Sequence, residues 1–247
     1  MRILLLSDIH SNLEALEACL AAAPPYDLIV NLGDIVGYGA SPNELVARSR
    51  ELGKFFVRGN HDKAAVGLLE LRDFNPVAGL AALWTREQLS KENAEWLRSL
   101  PSGPLQIDGL PGVQFVHGSP HDEDEYVVSE EDAVFTLKDA SVPLTFLGHT
   151  HLQGGFSTDS SFRPQYTTIG QQEICELKLE DGASYLINPG SVGQPRDGDW
   201  RAGFALYDSD ARLISFYRVP YDVRKAQERI VAANLPQRLA TRLTAGK

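Results

Sequence analysis

The chain opens with the apolar run RILLLS and returns to short apolar runs at DLIVNLG, KFFVRG, VQFVHG and LTFLG. Runs of this length with glycine or polar flanks predict buried β-strands. Between them the period changes. In SNLEALEACLAA, Leu13, Leu16 and Leu20 recur on one helical face, and Ser11 with Glu14 predicts a capping box. SPNELVARSRELG repeats the signal, with Ser41 as cap, Pro42 in the first turn, Glu44 returning the hydrogen bond and Gly53 as the stop. Residues 75–100 hold two more helical patterns, the second capped at Ser90, and a charged helix is expected between VQFVHG and LTFLG. This alternation predicts a largely parallel sheet covered by helices.

After Gly154 the pattern turns to short β runs: FSTD, QYTTI, EICELKLE, ASYLINPG, RAGFALYD and RLISFYRVP, with EDG at 180–182 as a hairpin turn. The expectation is a second sheet built from this stretch and packed on the first, within a single domain spanning 1–247. Residues 222–233 predict an amphipathic helix, and 235–247 are expected as a flexible C-terminal tail.

Composition narrows the class. A chain of 247 residues, 43% hydrophobic and 23% charged, is large enough to form its core without a disulfide scaffold. Cys19 and Cys175 therefore read as small buried side chains. The first apolar run is too short to span a bilayer and does not form a secretory leader, so a cytoplasmic protein with no membrane partner is expected. A net charge of -10 disfavours adhesion to nucleic acid. An anionic substrate stays open, because a bound cation reverses the local field. The acidic stretch HDEDEYVVSEED reads as a solvated loop leading into a helix, or as a lid over a site.

The chemistry lies where the first-half strands end. RILLLSDIH ends in Asp8 and His10, DLIVNLGD in Asp34, KFFVRGNHD in Asn60, His61 and Asp62, VQFVHG in His117, and LTFLGHTH in His149 and His151. In open α/β sheets, ligands bind beyond the carboxyl ends of the strands. Each of these side chains alone has an ordinary structural role, as a cap, a turn former or a hydrogen-bonded core histidine. Their recurrence at five predicted strand ends favours a pair of divalent metals instead. Carboxylate, imidazole and amide donors suit manganese, iron or zinc. Asp8, His10 and His151 are expected on one ion and Asn60, His117 and His149 on the other. Asp34 is expected to bridge them because a carboxylate has two anionic oxygens.

The motifs DIH at 8–10, GDIVGYG at 33–39, GNHD at 59–62, HG at 117–118 and GHTH at 148–151 resemble those of the calcineurin-like metallophosphoesterase superfamily. The resemblance implies a four-layer αββα sandwich and a dinuclear site that hydrolyses phosphoesters through a water or hydroxide held between the metals. It assigns the same seven ligands, and it places His61 at the scissile phosphate or leaving group. Protein phosphatases of this superfamily carry GDxVDRG and GNHE. Here Gly37 and Tyr38 replace the Asp and Arg, and Asp62 replaces the Glu, which disfavours a phosphoprotein substrate. The chain looks closer to the small bacterial and archaeal phosphodiesterase-like branch. Phosphodiesters are thus the expected substrates. The alternatives are phosphomonoesters, nucleotides or dinucleoside polyphosphates, or a metal-binding interaction module without turnover. A homo-oligomer stays compatible with the sequence.

Candidate phosphate contacts are Arg58, beside GNHD, and Arg196, in NPGSVGQPRDGD at 188–199, where Asn188 is expected to fix a ligand loop. Arg58 reads equally well as an ion pair. Tyr38, Tyr126, Phe156, Phe162 and Trp200 either line an aryl pocket or cover apolar core.

Overall fold

The computed structural model describes residues 1–158, 161–162, 164–169 and 172–247. Its strands are β1 (Arg2–Leu6), β2 (Leu28–Asn31), β3 (Phe55–Phe56), β4 (Val113–Phe115), β5 (Leu144–Phe146), β6 (Gly154–Ser157), β7 (Ser161–Phe162), β8 (Thr167–Ile169), β9 (Gln172–Lys178), β10 (Tyr185–Asn188), β11 (Ala202–Asp208) and β12 (Leu213–Val219). The helices are α1 (Leu13–Ala22), α2 (Pro42–Leu52), α3 (Asn60–Ala65), α4 (Pro76–Gln88), α5 (Lys91–Arg98), α6 (Glu130–Asp139), α7 (Val223–Ala232) and α8 (Gln237–Leu243). No described helix is long and apolar enough to cross a membrane.

The strands form two mixed sheets, ordered β3-β2-β1-β11-β12-β9-β8 and β4-β5-β10-β6-β7. Alternation along β1 shows the layering. Leu4 and Leu6 enter a core shared with Leu16 of α1, Leu45 of α2 and Leu239 of α8, whereas Ile3 and Leu5 enter one shared with Phe115 and Phe146 of the other sheet. A third core, with Val116, Leu147, Leu186 and Ala133, lies under α6. Helices, sheet, sheet and helix therefore stack as an α/β sandwich of four layers.

The division between sheets differs from the sequence expectation. The first-half strands do not form one sheet: β1, β2 and β3 pair in parallel, and β4 and β5 pair separately. The later strands are shared out, with β11 antiparallel to β1 and β10 parallel to β5. The reason lies in burial on both faces. β1 has to hydrogen-bond along both edges, and the apolar, seven-residue β11 closes the edge that β2 leaves open. Glu180 to Gly182 is thus no hairpin turn, since β9 and β10 belong to different sheets.

Two local expectations also change. The cap of α1 is Asn12, which accepts from Ala15 N, while Ser11 has φ +52° and its N–H donates to Ile35 O. Glu14 instead pairs, with its side chain buried, with Arg229 and Lys225 of α7. Residues 235–247 are not an unpacked tail. They carry α8, whose Leu239, Ala240 and Leu243 form a stripe buried in the helix-side core.

Candidate metal centre

Asp8, His10, Asp34, Asn60, His61, His117, His149 and His151 all follow the carboxyl ends of β1 to β5, which line up at one rim of the two sheets. Tight turns bring them inward. Asp8, His10, Asp34, His149 and His151 adopt φ between +49° and +66°, a left-handed conformation that Asp and His tolerate better than most residues. The glycines make room. A Cβ on Gly59 would collide with the Asp34 carboxylate, and one on Gly148 with Ser7 Oγ.

Asp8, His10, Asp34 and His151 form one buried cluster of ligand atoms, and Asp34, His117 and His149 a second. Asp34 belongs to both. Its Oδ1 accepts from the His61 main-chain N at 2.8 Å, which leaves Oδ2 at 3.5 Å from His10 Nε2 and 3.6 Å from His117 Nε2. A single oxygen therefore faces both clusters. Asp8 is arranged similarly: Oδ2 accepts from Ser7 Oγ and His149 N, while Oδ1 has no hydrogen-bond partner and lies 3.3 Å from His151 Nε2.

The imidazoles are oriented by main-chain carbonyls. His10 Nδ1 meets Val36 O at 3.1 Å, His117 Nδ1 meets Leu32 O at 2.7 Å, and His151 Nδ1 meets Gln194 O at 2.6 Å. A carbonyl only accepts, so each Nδ1 carries the hydrogen and each Nε2 presents a lone pair to the centre. His149 is reversed, with Nε2 donating to Asp124 O at 3.1 Å and Nδ1 left free.

This arrangement fits metal ions. His10 Nε2 and His151 Nε2 lie 3.1 Å apart, and both lack a hydrogen. Two facing lone pairs repel, yet metal–nitrogen bonds of about 2.1 Å meeting at roughly 95° would place two ligand nitrogens about that far apart. Asn60 Oδ1 and His117 Nε2 are likewise buried without a hydrogen-bond partner. Uncompensated groups of this kind are costly in an interior.

The electrostatics agree. Burial pushes the Asp8 carboxyl up to about 7, with the Asp34 charge adding to the rise. Burial also drives Asp34 well above the carboxylate range, and Asp62 adds to it. His10, His61 and His151 are held well below the usual imidazole range by burial and by neighbouring cationic groups, and His149 falls to about 2 for the same reasons. The site is thus set to keep its imidazoles neutral, as metal ligation requires.

Neighbouring residues hold the loops. Asn188 Nδ2 donates to Gly148 O and Thr150 Oγ1, which fixes GHTH. Asp62 accepts from Val36 N and Gly59 N, joining GDIVG to GNHD. Arg58 does not point its guanidinium at the clusters: it makes a two-pronged ion pair with Glu123, both contacts at 2.9 Å. Arg196 does lie at the site rim, with Nη2 3.3 Å from Tyr38 Oη and Nε buried without a partner. Tyr126 stacks on His149 with ring centroids 3.7 Å apart, from the acidic stretch whose Asp124 binds the same histidine. Trp200 packs against Tyr221 and the helix-side core, Phe156 lines a cavity of about 400 Å³ with Val127 and Leu186, and the Phe162 side chain lies outside the described residues. Sequence reasoning passed over Arg242, which α8 brings to 5.6 Å from the Tyr38 ring. Reading 235–247 as a tail hid it, although the 239, 240, 243 apolar spacing was visible.

Residues 1–212 match the calcineurin-like phosphoesterase superfamily domain, and the chain belongs to that family. It is 39% identical over 252 residues to the uncharacterized protein MJ0912 of Methanocaldococcus jannaschii, an alignment that covers 99% of this chain and 98% of that protein. A metallophosphoesterase crystal structure from Sphaerobacter thermophilus superimposes with a TM-score of 0.87 at 42% identity, covering 100% of this chain and 99% of the other. The hypothetical protein PH1004 from Pyrococcus horikoshii OT3 shares the fold, with a TM-score of 0.76 at 20% identity over 100% and 98% of the two chains.

Proposed function

We propose that this protein is a dinuclear-metal-dependent phosphoesterase acting on small phosphoesters, with diesters preferred over monoesters. The observation that carries the reading is Asp34 Oδ2, placed between His10 of one ligand cluster and His117 of the other. Asp8, His10, His151 and Asp34 would hold one ion, and Asn60, His117, His149 and Asp34 the second. The mixed donor set suits manganese first, with iron or zinc as alternatives. Two such ions supply an activated water and positive charge for the phosphoryl oxygens.

The chain's own contribution centres on His61. Its main-chain N is anchored on Asp34 Oδ1, and its ring lies 4.3 Å from that of Tyr38 and 4.9 Å from that of His10. Burial keeps the ring neutral, so it offers an N–H to a phosphoryl or leaving-group oxygen as a hydrogen bond. Proton transfer follows only where the substrate's negative charge raises the ring's basicity. Arg196 supplies a fixed positive charge beside Tyr38. With Gly37 and Tyr38 in place of an acid and an arginine, the protein phosphatases' phosphate contact is absent, which supports a small-molecule substrate.

The test compares chelator-treated and manganese-reconstituted protein on bis(p-nitrophenyl) phosphate and p-nitrophenyl phosphate, with metal content measured in parallel. Manganese-dependent turnover and a higher kcat/KM on the diester are expected. Two bound ions with no turnover on either ester would leave a metal-binding interaction module instead.

A further inference from the structure

The acidic stretch that follows the HG motif folds across the edge of the metal centre, gripped by two cations that bracket GNHD. Arg58 stands immediately before that motif and pairs with Glu123; Lys63 stands immediately after it, with Nζ 2.6 Å from Asp124 Oδ2 and 3.0 Å from Glu123 Oε1. Only 6% of the Lys63 side chain is exposed. A lysine is rarely this buried unless a carboxylate meets it. The stretch itself starts from a tight turn, in which Ser119 Oγ accepts from His121 N and Asp122 N. Gly118 leaves room for that turn, because a Cβ there would lie 2.8 Å from Asp122 O, Glu123 O and Glu125 N.

The stretch reaches His149. Asp124 O accepts from His149 Nε2 at 3.1 Å, and the Tyr126 ring stacks on the imidazole with centroids 3.7 Å apart. The hydrogen bond leaves Nδ1 as the atom able to bind a cation, and the stacking sets the plane of the ring. The other ligand histidines are braced differently. His10, His117 and His151 lean on the carbonyls of Val36, Leu32 and Gln194, all three in buried residues. His149 depends instead on a segment anchored by ion pairs: the Asp124 side chain is 36% exposed, and Lys63 is the cation that holds it. Lys63 lies on α3, three residues after Asn60. One turn of helix therefore carries Asn60 and the cation that places His149.

We propose that Lys63 is a positioning residue for the second ion, acting through the Asp124 carbonyl on His149, so that the acidic stretch sets the cation affinity of the Asn60, His117 and His149 site. This rests on the phosphoesterase reading above, which assigns those three ligands to one ion. The site of Asp8, His10 and His151 has no such dependence, since Val36 and Gln194 hold its imidazoles. Without the Lys63 charge, the Asp124 carboxylate loses its cation while Asp34 stays close enough to feel its repulsion. The segment then relaxes towards water and takes the Asp124 carbonyl and the Tyr126 ring with it.

The experiment titrates chelated wild type, Lys63→Met, Lys63→Arg and Asp124→Ala with manganese, reading the affinity of each ion by calorimetry and electron paramagnetic resonance. The His149 ring nitrogens of the metal-free proteins are followed by NMR alongside. Lys63→Met and Asp124→Ala should each weaken the second ion about 10- to 100-fold, the range for an outer partner of a ligand histidine, and leave the first within about threefold. Lys63→Arg keeps the charge and should recover most of the affinity. Combining Lys63→Met with Asp124→Ala should cost no more than the larger single loss, because both act through one contact. Equal weakening of both ions, or losses that add, overturn the proposal. In the metal-free protein the His149 Nε2 hydrogen should exchange with water faster in Lys63→Met than in wild type; an unchanged signal also counts against the tether. Asp124→Ala alters a partly exposed side chain and carries the test should Lys63→Met fail to fold. If the wild type binds no pair of manganese ions, the dinuclear reading fails, and the His149 signal alone decides the tether.

Discussion

Replacing Asp34 with asparagine should stabilise the metal-free protein while removing most of the stabilisation that metal provides. In the metal-free chain, burial holds the Asp34 carboxyl pKa well above its ordinary value, whereas the unfolded chain ionises near 3.8. The unfolded state therefore loses its proton first, and the group subtracts stability increasingly as pH rises from about 4 towards the folded pKa. Each unit of such a shift is worth about 1.4 kcal/mol. An asparagine cannot ionise. Its Oδ1 can still accept from His61 N, and its amide hydrogens can reach the lone pairs of His10 Nε2 and His117 Nε2, now 3.5 and 3.6 Å from Oδ2.

The metal-loaded state reverses the sign. An ion at about a hundred times its dissociation constant adds about 2.7 kcal/mol. For a chain of this size that is roughly 5 to 11 °C in Tm. The Asp34→Asn variant offers no negative oxygen shared between the clusters, so one ion at most should bind tightly. Thermal melts at pH 8 after chelation, with and without manganese, together with metal analysis by mass spectrometry, read both effects. The chelated variant should melt at or above the chelated wild type, and its manganese shift should be less than half as large. A chelated variant that melts well below wild type, or a full manganese shift with two ions bound, would refute the bridging placement.

Three further outcomes follow from the same geometry. His61→Ala should retain two metals per chain but lose about a hundredfold or more in kcat; unchanged turnover would remove His61 from the reaction. Because the Asp8 carboxyl is pushed up to about 7, Asp34 is raised well above the carboxylate range, and both must be ionised to bind a cation, manganese affinity should fall by more than about tenfold per pH unit below pH 7; a pH-independent affinity would refute this. His10, His149 and His151, kept neutral by burial, add no competing proton in that range, whereas Asp34 is also held protonated, so titration in buffers of differing ionisation enthalpy should show more than one proton released near pH 6.5. Arg58→Ala should change stability by about 1 kcal/mol or less and leave KM for an aryl ester within twofold, since its ion pair with Glu123 is partly solvent-exposed; a large rise in KM would return Arg58 to the phosphate.

The ligand loops were legible because each sits immediately after a strand, where local sequence determines both the strand and its end. Asp8 follows RILLL by two residues and His149 follows LTF by three, so locating the strand places the ligand. Partition of strands between sheets was not legible. Nothing local to β11 says that it pairs with β1 while β10, the preceding strand, pairs with β5; that choice is made by which edges need closing once two sheets stack. Arg58 shows a related limit, since an arginine beside GNHD reads as a phosphate contact until Glu123, 65 residues later, is seen to face it. Arg242 was hidden differently, because its place beside Tyr38 depends on α8 folding back against the Arg196 loop, a contact that no spacing within α8 encodes.

Backbone strain ties the fold to the metals. Seven non-glycine residues near the centre, Asp8, His10, Ser11, Asp34, Tyr38, His149 and His151, hold left-handed φ angles between +49° and +66°. Each such residue costs about 1 kcal/mol or more. The facing nitrogens of His10 and His151 and the partnerless Asp8 Oδ1, Asn60 Oδ1 and His117 Nε2 add to that cost. The sum is comparable with the whole stability of a typical domain, about 5 to 15 kcal/mol. The three stacked cores and the hydrogen bonds from Ser7, Asn188 and Ser191 to the ligand loops keep these turns in place. Such a scaffold orients ligands before a cation arrives, so binding should require little backbone rearrangement and its energy should appear mainly as relief of repulsion among groups already facing one another. Chelation should then change amide hydrogen exchange mainly at 8–11, 33–38, 59–62 and 148–151 and leave β11 and β12 unaltered. Exchange that rises throughout the sheets on chelation would mean instead that the metals hold the sandwich together and that the loops are not preorganised.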